Sequence, residues 1–301
     1  STQDNESPGL LSLTDSHLLL SNPVSHLDGD LLRDNPWFSV FLSFHRRARF
    51  LICPGQAQMP SQWFRFAQLL QSFGFDVFIL RIPGQFERAV DPSPSNINEI
   101  VHGLCQALSD LEVLSDLPLV IMGYSFGTYV AYSAVKYLQD VYRFNVFHFI
   151  SLCGLSCDSL LNFQRFDDGS FESLKLTLVD LLKTNFGRLP VSFERALIEQ
   201  PPEVVNTIMM YFYQSVQYMH LWALEFSSSS QLLECDMLYI IGVDDPTTKD
   251  DLWRNVVAKG FRYECLVFPG DHFFVIENDS AMEALAHDCK RCIFRKINIF
   301  E

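Results

Sequence analysis

The sequence lacks the features that would place it in a membrane or on a nucleic acid. No apolar run approaches the ~20 residues that a transmembrane helix needs. The N-terminus has no basic stretch followed by an apolar one, so no secretory signal and no membrane span are predicted. Basic residues are few: 22 Lys and Arg stand against 36 Asp and Glu, for a formal net charge of −14. Nucleic-acid binding requires a positive surface, so this balance argues against it.

The sequence also lacks the cysteine pattern of a disulfide framework or a zinc site. Its 8 cysteines are scattered, several of them within apolar runs. The C-x-x-C motif at Cys289 and Cys292 has no second pair. Scattered thiols are typical of a reducing compartment, so we predict structural thiols, a cytoplasmic location and no metal ion. The chain begins with Ser1 rather than Met, and we expect a trimmed or excised polypeptide.

The chain does contain enough apolar residues for a large buried core. Of its 301 residues, 48% are hydrophobic and 19% are charged, and 27 are phenylalanine. One catalytic domain with an insertion fits this length as well as two domains do. A Phe-rich core is the commoner explanation for the phenylalanines, and an apolar ligand site is the alternative.

One short motif predicts a geometry as well as a residue. The apolar run Leu117–Met122 is followed by Gly-Tyr-Ser-Phe-Gly, a Gly-x-Ser-x-Gly pattern, and then by a predicted helix over Thr128–Leu138. On a tight turn between a buried strand and a helix, Ser125 would project its hydroxyl above the sheet edge, as a nucleophile does. A Cβ at Gly123 or Gly127 would collide across such a turn. An inert serine in a tight turn is the alternative interpretation.

Strands and helices alternate along most of the chain. Further strands are predicted at Arg49–Cys53, Phe75–Leu80, Asn145–Leu152, Met237–Gly242 and Tyr263–Phe268. Further helices are predicted at Ser61–Phe73, Asn96–Leu111, near Lys249–Ala258, and at Ser280–Ile293. This alternation predicts an α/β fold in which helices cover both faces of a mostly parallel sheet.

The alternation stops between Leu155 and Leu232, a stretch too long for a simple connection. Helices are predicted there at Phe171–Thr184, Ser192–Glu199 and Pro202–Phe226. The last of them is apolar on more than one side, so it either lines an apolar channel or is an ordinary core helix. We therefore predict an N-terminal extension or linker over residues 1–35, a core over 36–154 and 233–301, and an inserted helical lid over 155–232.

A serine nucleophile needs a base, and that base needs an acid to orient it. Of the 8 histidines, His272 is the one well placed, because it follows a predicted strand through a Pro-Gly turn. The strand that ends at Gly242 opens into Val-Asp-Asp-Pro, and Asp245 precedes the proline, which favours an extended backbone. Asp244 is the alternative. We predict Ser125 as nucleophile, His272 as base and Asp245 as the orienting acid.

Two backbone N–H groups should hold the oxyanion of such an enzyme. Phe126 directly follows the serine, and Gln56 lies in the loop after the first core strand, so we predict that these two supply the donors. No cofactor is needed for this chemistry. The candidates for contact with an apolar substrate are Met59, Met209, Phe212 and Phe273.

Several further motifs are scattered from Trp37 to the C-terminus. Together with those above they are Trp37, Leu51-Ile52-Cys53-Pro54, Pro83-Gly84-Gln85-Phe86-Glu87-Arg88, Gly123-Tyr124-Ser125-Phe126-Gly127, Gly242-Val243-Asp244-Asp245, Trp253 and Gly270-Asp271-His272-Phe273-Phe274. This set resembles the motifs of the type II thioesterases, stand-alone hydrolases that accompany polyketide, non-ribosomal peptide and fatty acid synthases. Asp245 takes the position of the acid in this pattern. Tyr124 departs from it, because it replaces the usual His before the serine, and Gln56-Ala57-Gln58 replaces Ala-Gly-Gly.

The resemblance implies an α/β-hydrolase fold and the hydrolysis of acyl thioesters. It also implies a partner: an acyl or peptidyl carrier protein whose phosphopantetheine arm bears the acyl group, during editing or release in polyketide, peptide or fatty acid synthesis. Two alternatives stay open. One is a terminal acyltransferase or cyclase release domain with the same three residues, and the other is a non-catalytic hydrolase-fold protein that binds a small ligand.

Overall fold

The computed structural model describes residues 35–115, 117–154, 160, 171–226, 232–247 and 252–297. The predicted extension lies outside the described residues apart from Asn35, as do 155–159 and 161–170 at the start of the predicted lid. The helix predicted near Lys249–Ala258 is described only from Leu252, where a 3-10 turn runs over Leu252–Val256.

Seven strands form one sheet in the order β1-β3-β2-β4-β5-β6-β7. Its strands are β1 (Phe38–Phe41), β2 (Ala48–Cys53), β3 (Phe75–Leu80), β4 (Leu119–Tyr124), β5 (His148–Leu152), β6 (Asp236–Gly242) and β7 (Tyr263–Phe268). Strand β1 runs antiparallel to β3, and every other neighbouring pair is parallel. The mostly parallel sheet is confirmed. Strand β1 was not predicted, because four residues at a sheet edge give too short a pattern to read.

Helices cover both faces of the sheet, as predicted. The helices are α1 (Phe64–Ser72), α2 (Ile97–Asp110), α3 (Gly127–Asp140), α4 (Phe171–Phe186), α5 (Val191–Glu199), α6 (Pro202–Phe226), α7 (Phe274–Glu277) and α8 (Asp279–Ile297). Residues of α2 and α3 share one apolar cluster with the sheet, and residues of α1 and α8 share a second. Both faces of the central strands are therefore buried, which is why these strands are continuous apolar runs.

Local signals explain where several helices begin and end. Helix α2 begins after Asn96, whose side-chain oxygen accepts a hydrogen bond from the Glu99 N–H at 3.0 Å. Helix α6 begins at Pro202, where the missing N–H of proline costs no helical hydrogen bond. Gly74, with a φ of +102°, follows the end of α1 in a backbone conformation that favours glycine.

Helices α4, α5 and α6 follow β5 and precede β6 in the chain, and they pack on one another rather than on the sheet alone. Their shared apolar cluster contains Leu178, Leu182, Phe186, Leu189, Phe193, Met209, Phe212 and Phe273. Phe273 belongs to the segment after β7, so this cluster joins the three helices to the carboxyl end of the sheet. That position suits a lid, and the lid boundaries remain a prediction.

No helix in the described part of the chain is both long and apolar enough to cross a membrane. The cysteines that the structure describes carry free thiols, and most of them are buried. Cys289 is fully buried on α8, where burial raises the pKa of its thiol.

Candidate active site

Ser125 lies on a strained turn between β4 and α3. Its φ is +50°, in the left-handed region that non-glycine residues rarely adopt. A Cβ on Gly123 would lie 2.2 Å from the carbonyl oxygen of Gly127, and one on Gly127 would lie 2.0 Å from that of Cys53. The sequence-based expectation that both glycines avoid a collision is confirmed. The backbone N–H of Ser125 donates to the carbonyl of Leu152 at 2.8 Å, which ties the turn to β5.

The structure brings Ser125, His272 and Asp245 together from the ends of β4, β7 and β6. The Oγ of Ser125 lies 2.9 Å from Nε2 of His272. Nδ1 of the same ring lies 2.8 Å from Oδ2 of Asp245. His272 and Asp245 are only 2% and 4% exposed. This arrangement can pass a proton from the serine hydroxyl to an imidazole whose charged form is stabilised by a carboxylate.

The second oxygen of the Asp245 carboxylate also accepts hydrogen bonds. Oδ1 accepts hydrogen bonds from the backbone N–H of Thr247 at 3.0 Å and from its hydroxyl at 2.7 Å. Burial acts to raise the pKa of Asp245, but His272 and the Thr247 hydrogen bonds outweigh it, so the pKa lies below its ordinary value. The carboxylate is thus held ionised. Asp244, the alternative acid, has an exposed side chain.

Two further aromatic residues hold His272 in place. The hydroxyl of Tyr124 donates to the carbonyl oxygen of His272 at 2.8 Å, and burial raises the pKa of Tyr124 well above its ordinary value, so the phenol stays a donor. The ring of Phe186, at the end of α4, lies 4.4 Å from the imidazole centroid. Neither role was predicted from the sequence. Tyr124 was noticed only as a departure from a family pattern, and no local signal marks Phe186.

Cys153 lies beside the acid and the base. Its Sγ, a carboxylate oxygen of Asp245 and a ring nitrogen of His272 all lie within 4.8 Å of one another. Burial, followed by the charge of Asp245, raises the pKa of the Cys153 thiol well above its ordinary value, so it is held as a neutral S–H. The Asp245 and His272 atoms of this group lie 2.8 Å apart, within hydrogen-bond distance of each other.

The predicted oxyanion donors flank the serine turn, and their role remains a prediction. Gln56 is 9% exposed and Phe126 is fully buried. Within the described part of the chain, the backbone N–H of neither residue donates a hydrogen bond to another backbone group. The loop that carries Gln56 is held by Gln58, whose side-chain oxygen accepts from the Gly55 N–H at 2.8 Å.

A cavity of about 450 Å³ opens beside Ser125 and His272. Of the predicted substrate contacts, Met59, Phe212 and Phe273 line it. Met209 does not, which corrects that prediction: it is 6% exposed and packs inside the cluster of α4, α5 and α6. Sequence reasoning missed most of the apolar wall, which includes Phe86, Leu182, Phe186, Phe193, Ile208 and Tyr211. These residues meet only through tertiary packing, as where the Phe86 N–H donates to the Tyr211 hydroxyl at 3.3 Å.

Comparison with curated proteins finds thioesterases. No protein-family model matches the chain. The medium-chain S-acyl fatty acid synthase thioesterase of Homo sapiens is 22% identical over 206 residues, which cover 67% of this chain and 71% of the human protein. Its counterpart in Rattus norvegicus is 24% identical and covers 68% of this chain and 73% of the rat protein.

Comparison with solved structures finds the same overall fold. RedJ, a thioesterase from the prodiginine biosynthetic pathway of Streptomyces coelicolor, superposes with a TM-score of 0.66 at 15% identity and covers 82% of this chain and 90% of RedJ. YbtT, a type II thioesterase from the yersiniabactin pathway, gives a TM-score of 0.61 at 18% identity, with 85% and 96% covered. This chain has the α/β-hydrolase fold of the type II thioesterases. The fold and the resemblance predicted from the sequence are confirmed.

Proposed function

We propose that the chain is a serine thioesterase that hydrolyses acyl thioesters. The observation that carries this proposal is the hydrogen-bonded series of Ser125, His272 and Asp245 at the wall of an apolar cavity. The curated relatives support the same reaction class, since both are thioesterases by name. An apolar cavity beside the serine suits the hydrocarbon part of an acyl group.

The first half of the proposed reaction transfers the acyl group to the protein. The Oγ of Ser125 attacks the thioester carbonyl carbon while Nε2 of His272 takes the hydroxyl proton, and Asp245 stabilises the resulting imidazolium. The N–H groups of Gln56 and Phe126 hold the tetrahedral oxyanion. When this intermediate collapses, the C–S bond breaks and His272 returns the proton to the leaving thiol. An acyl ester of Ser125 remains.

The second half releases the acid. Nε2 of His272 takes a proton from a water molecule, which attacks the carbonyl carbon of the acyl ester. The same N–H groups hold the second oxyanion. Its collapse breaks the bond to Ser125, whose Oγ recovers the proton from His272. The products are a free carboxylic acid and the unmodified serine, and neither step requires a metal ion or a cofactor.

We further propose that the acyl group arrives on the phosphopantetheine arm of an acyl or peptidyl carrier protein. Remote contacts with a carrier would supply binding energy that positions the thioester against Ser125. In this proposal α4, α5 and α6 form the lid that receives the acyl chain. A higher kcat/KM for a carrier-linked acyl group than for the same acyl group on coenzyme A would support it, and an equal or lower value would argue for a small-molecule thioesterase.

The test of the reaction itself uses product mass and a serine-directed label. Wild-type protein should convert a long-chain acyl thioester to the free acid and should react with a fluorophosphonate at Ser125. The Ser125→Ala variant should lose nearly all activity and labelling while it stays folded, as judged by circular dichroism. A lactone or ester product would indicate an acyltransferase or cyclase instead. Wild-type protein that fails to label would indicate a non-catalytic binding protein.

A further inference from the structure

Arg188, in the connection between α4 and α5, is held by two carboxylates from the segment after β7. Its Nε and Nη2 donate to the two carboxylate oxygens of Asp271, with Nη2 and Oδ1 3.0 Å apart. Nη2 also lies 2.7 Å from Oε2 of Glu277. The guanidinium lies over the ring of Phe273, 5.0 Å from its centroid. A planar guanidinium suits such a forked and stacked arrangement better than an ammonium group does.

Both carboxylates are also hydrogen-bonded to the backbone, so the cluster is tied down on each side. Oδ1 of Asp271 accepts from the backbone N–H of Phe273 at 2.9 Å, which fixes the turn around His272. Oε1 of Glu277 accepts from the backbone N–H of Val191 at 2.6 Å, at the first residue of α5. Between the two segments, the α4–α5 connection and the start of α5 therefore supply the donors, and Asp271 and Glu277 of the histidine segment supply the acceptors.

In the chain, His272 lies between Asp271 and Phe273, two of the three residues of this segment that Arg188 contacts. Phe186, two residues before Arg188, packs its ring 4.4 Å from the imidazole centroid. One short piece of chain, from the end of α4 into the α4–α5 connection, thus supports the histidine directly through Phe186 and its backbone turn through Arg188. If that piece moved away from the sheet, His272 would lose both supports at once.

We propose that Arg188 is a positioning residue for His272, which couples the placement of the α4–α5 connection to the hydrogen bond between His272 and Ser125. Arg188 acts through Asp271 and does not contact the serine or the imidazole ring. The inference rests on the proposed function, because it assigns a role to the turn that carries the proposed base. It predicts that proton transfer is efficient only while the connection is docked on the His272 segment.

Loss of the guanidinium would also change the charge around the base. The carboxylates of Asp245, Asp271 and Glu277 and the neutral Tyr124 and Cys153 would remain near His272. Arg195 and Glu199, one charge of each sign, line the same cavity and are unchanged by the substitution. Without Arg188, the carboxylates of Asp271 and Glu277 would lack their shared cation and would favour the imidazolium form of the base. The rising limb of the pH profile of kcat/KM should therefore move to higher pH.

The experiment compares Arg188→Met, Arg188→Lys and a matched control, Arg291→Met. Arg291 is an exposed arginine on α8 that pairs with Asp288 at 2.8 Å, so its loss removes one charge and one ion pair away from the cavity. For Arg188→Met we expect kcat to fall about 10- to 100-fold with a smaller change in KM, and the rising limb of the pH profile to shift upward. Arg188→Lys should recover only part of kcat, and Arg291→Met should match wild type.

The rate of fluorophosphonate labelling at Ser125 gives a readout that does not depend on the substrate. It should fall in Arg188→Met in parallel with kcat, so this inference can be judged even if thioesters prove not to be the substrate. Wild-type protein without thioester turnover would count against the proposed function and not against the role of Arg188. If Arg188→Met fails to fold, the kcat and labelling rate of Arg188→Lys alone test the proposal. An Arg188 variant with the kcat, labelling rate and pH profile of the wild type would overturn the proposal. So would a variant in which only KM changes.

Discussion

Replacing Asp245 with asparagine tests the proposed site more sharply than removing the serine does. We expect Asp245→Asn to lower kcat about 10⁴-fold, although the side chain keeps its size and the site keeps its shape. The expectation depends on which atom of the asparagine amide meets the imidazole. The structure determines that orientation through Thr247.

Two donors converge on one oxygen of the carboxylate. The backbone N–H and the hydroxyl of Thr247 lie 3.0 Å and 2.7 Å from Oδ1 of Asp245. An amide NH₂ placed there would lose the hydrogen bond from the backbone N–H, so the asparagine oxygen must take that position. Its NH₂ group then lies where Oδ2 now lies, 2.8 Å from Nδ1 of His272. An NH₂ donor requires Nδ1 to be an acceptor.

The consequence is the wrong tautomer of the base. If Nδ1 accepts, the proton of the neutral imidazole is on Nε2, which lies 2.9 Å from the Oγ of Ser125 and can no longer take the hydroxyl proton. The variant also loses the negative charge that stabilises the imidazolium. A 10⁴-fold decrease corresponds to about 5.4 kcal/mol of lost transition-state stabilisation, at about 1.36 kcal/mol for each factor of ten.

The assay is steady-state hydrolysis of an acyl thioester, with Asp244→Asn as the matched control. Asp244 has an exposed side chain one residue away, so its variant makes the same chemical change without touching the base. We expect Asp244→Asn to keep most of the wild-type kcat. If Asp245→Asn retained more than about a tenth of kcat, or if the two variants were equally active, the tautomer argument and the choice of acid would both be wrong.

Three further predictions follow from other contacts. Tyr124→Phe removes the 2.8 Å hydrogen bond to the His272 carbonyl, and we expect about 1–2 kcal/mol less stability by denaturant titration and about tenfold lower kcat. Ile208→Trp should narrow the cavity, so we expect kcat/KM for long acyl chains to fall about tenfold relative to kcat/KM for short ones. The control is Ile198→Trp, at a residue 85% exposed, which should leave the chain-length profile unchanged. Burial lowers the pKa of His148 to about 4, and neither ring nitrogen has a hydrogen-bond partner among the described residues. Since the unfolded chain binds the proton near pH 6.5, the free energy of unfolding should fall by on the order of 3 kcal/mol as the pH drops from about 6.5 to about 4, and His148→Leu should flatten that decrease. Equal slopes for wild type and His148→Leu would contradict this reasoning.

Local patterns were enough to predict the framework of the fold and the three polar residues that meet in it. Parallel strands buried on both faces must be continuous apolar runs, so most strands could be located to within a few residues. Tight turns require small residues, which made the pattern around Ser125 readable. The order of strands then placed Asp245 and His272 at the same edge of the sheet, because the carboxyl ends of parallel strands all lie there.

The cavity wall and the supports of the base were decided only by tertiary packing. Phe186, Tyr211 and Arg188 carry no local signal of their contacts, since an aromatic residue in a helix fits core or cavity equally well and a basic residue in a connection is usually a surface residue. Met209 illustrates the same limit. Its helix was predicted correctly, but the packing of α6 against α4 and α5 places the Met209 side chain in their apolar cluster and not at the cavity. Sequence periodicity predicts which residues share one face of a helix. What that face packs against depends on how several helices come together in three dimensions.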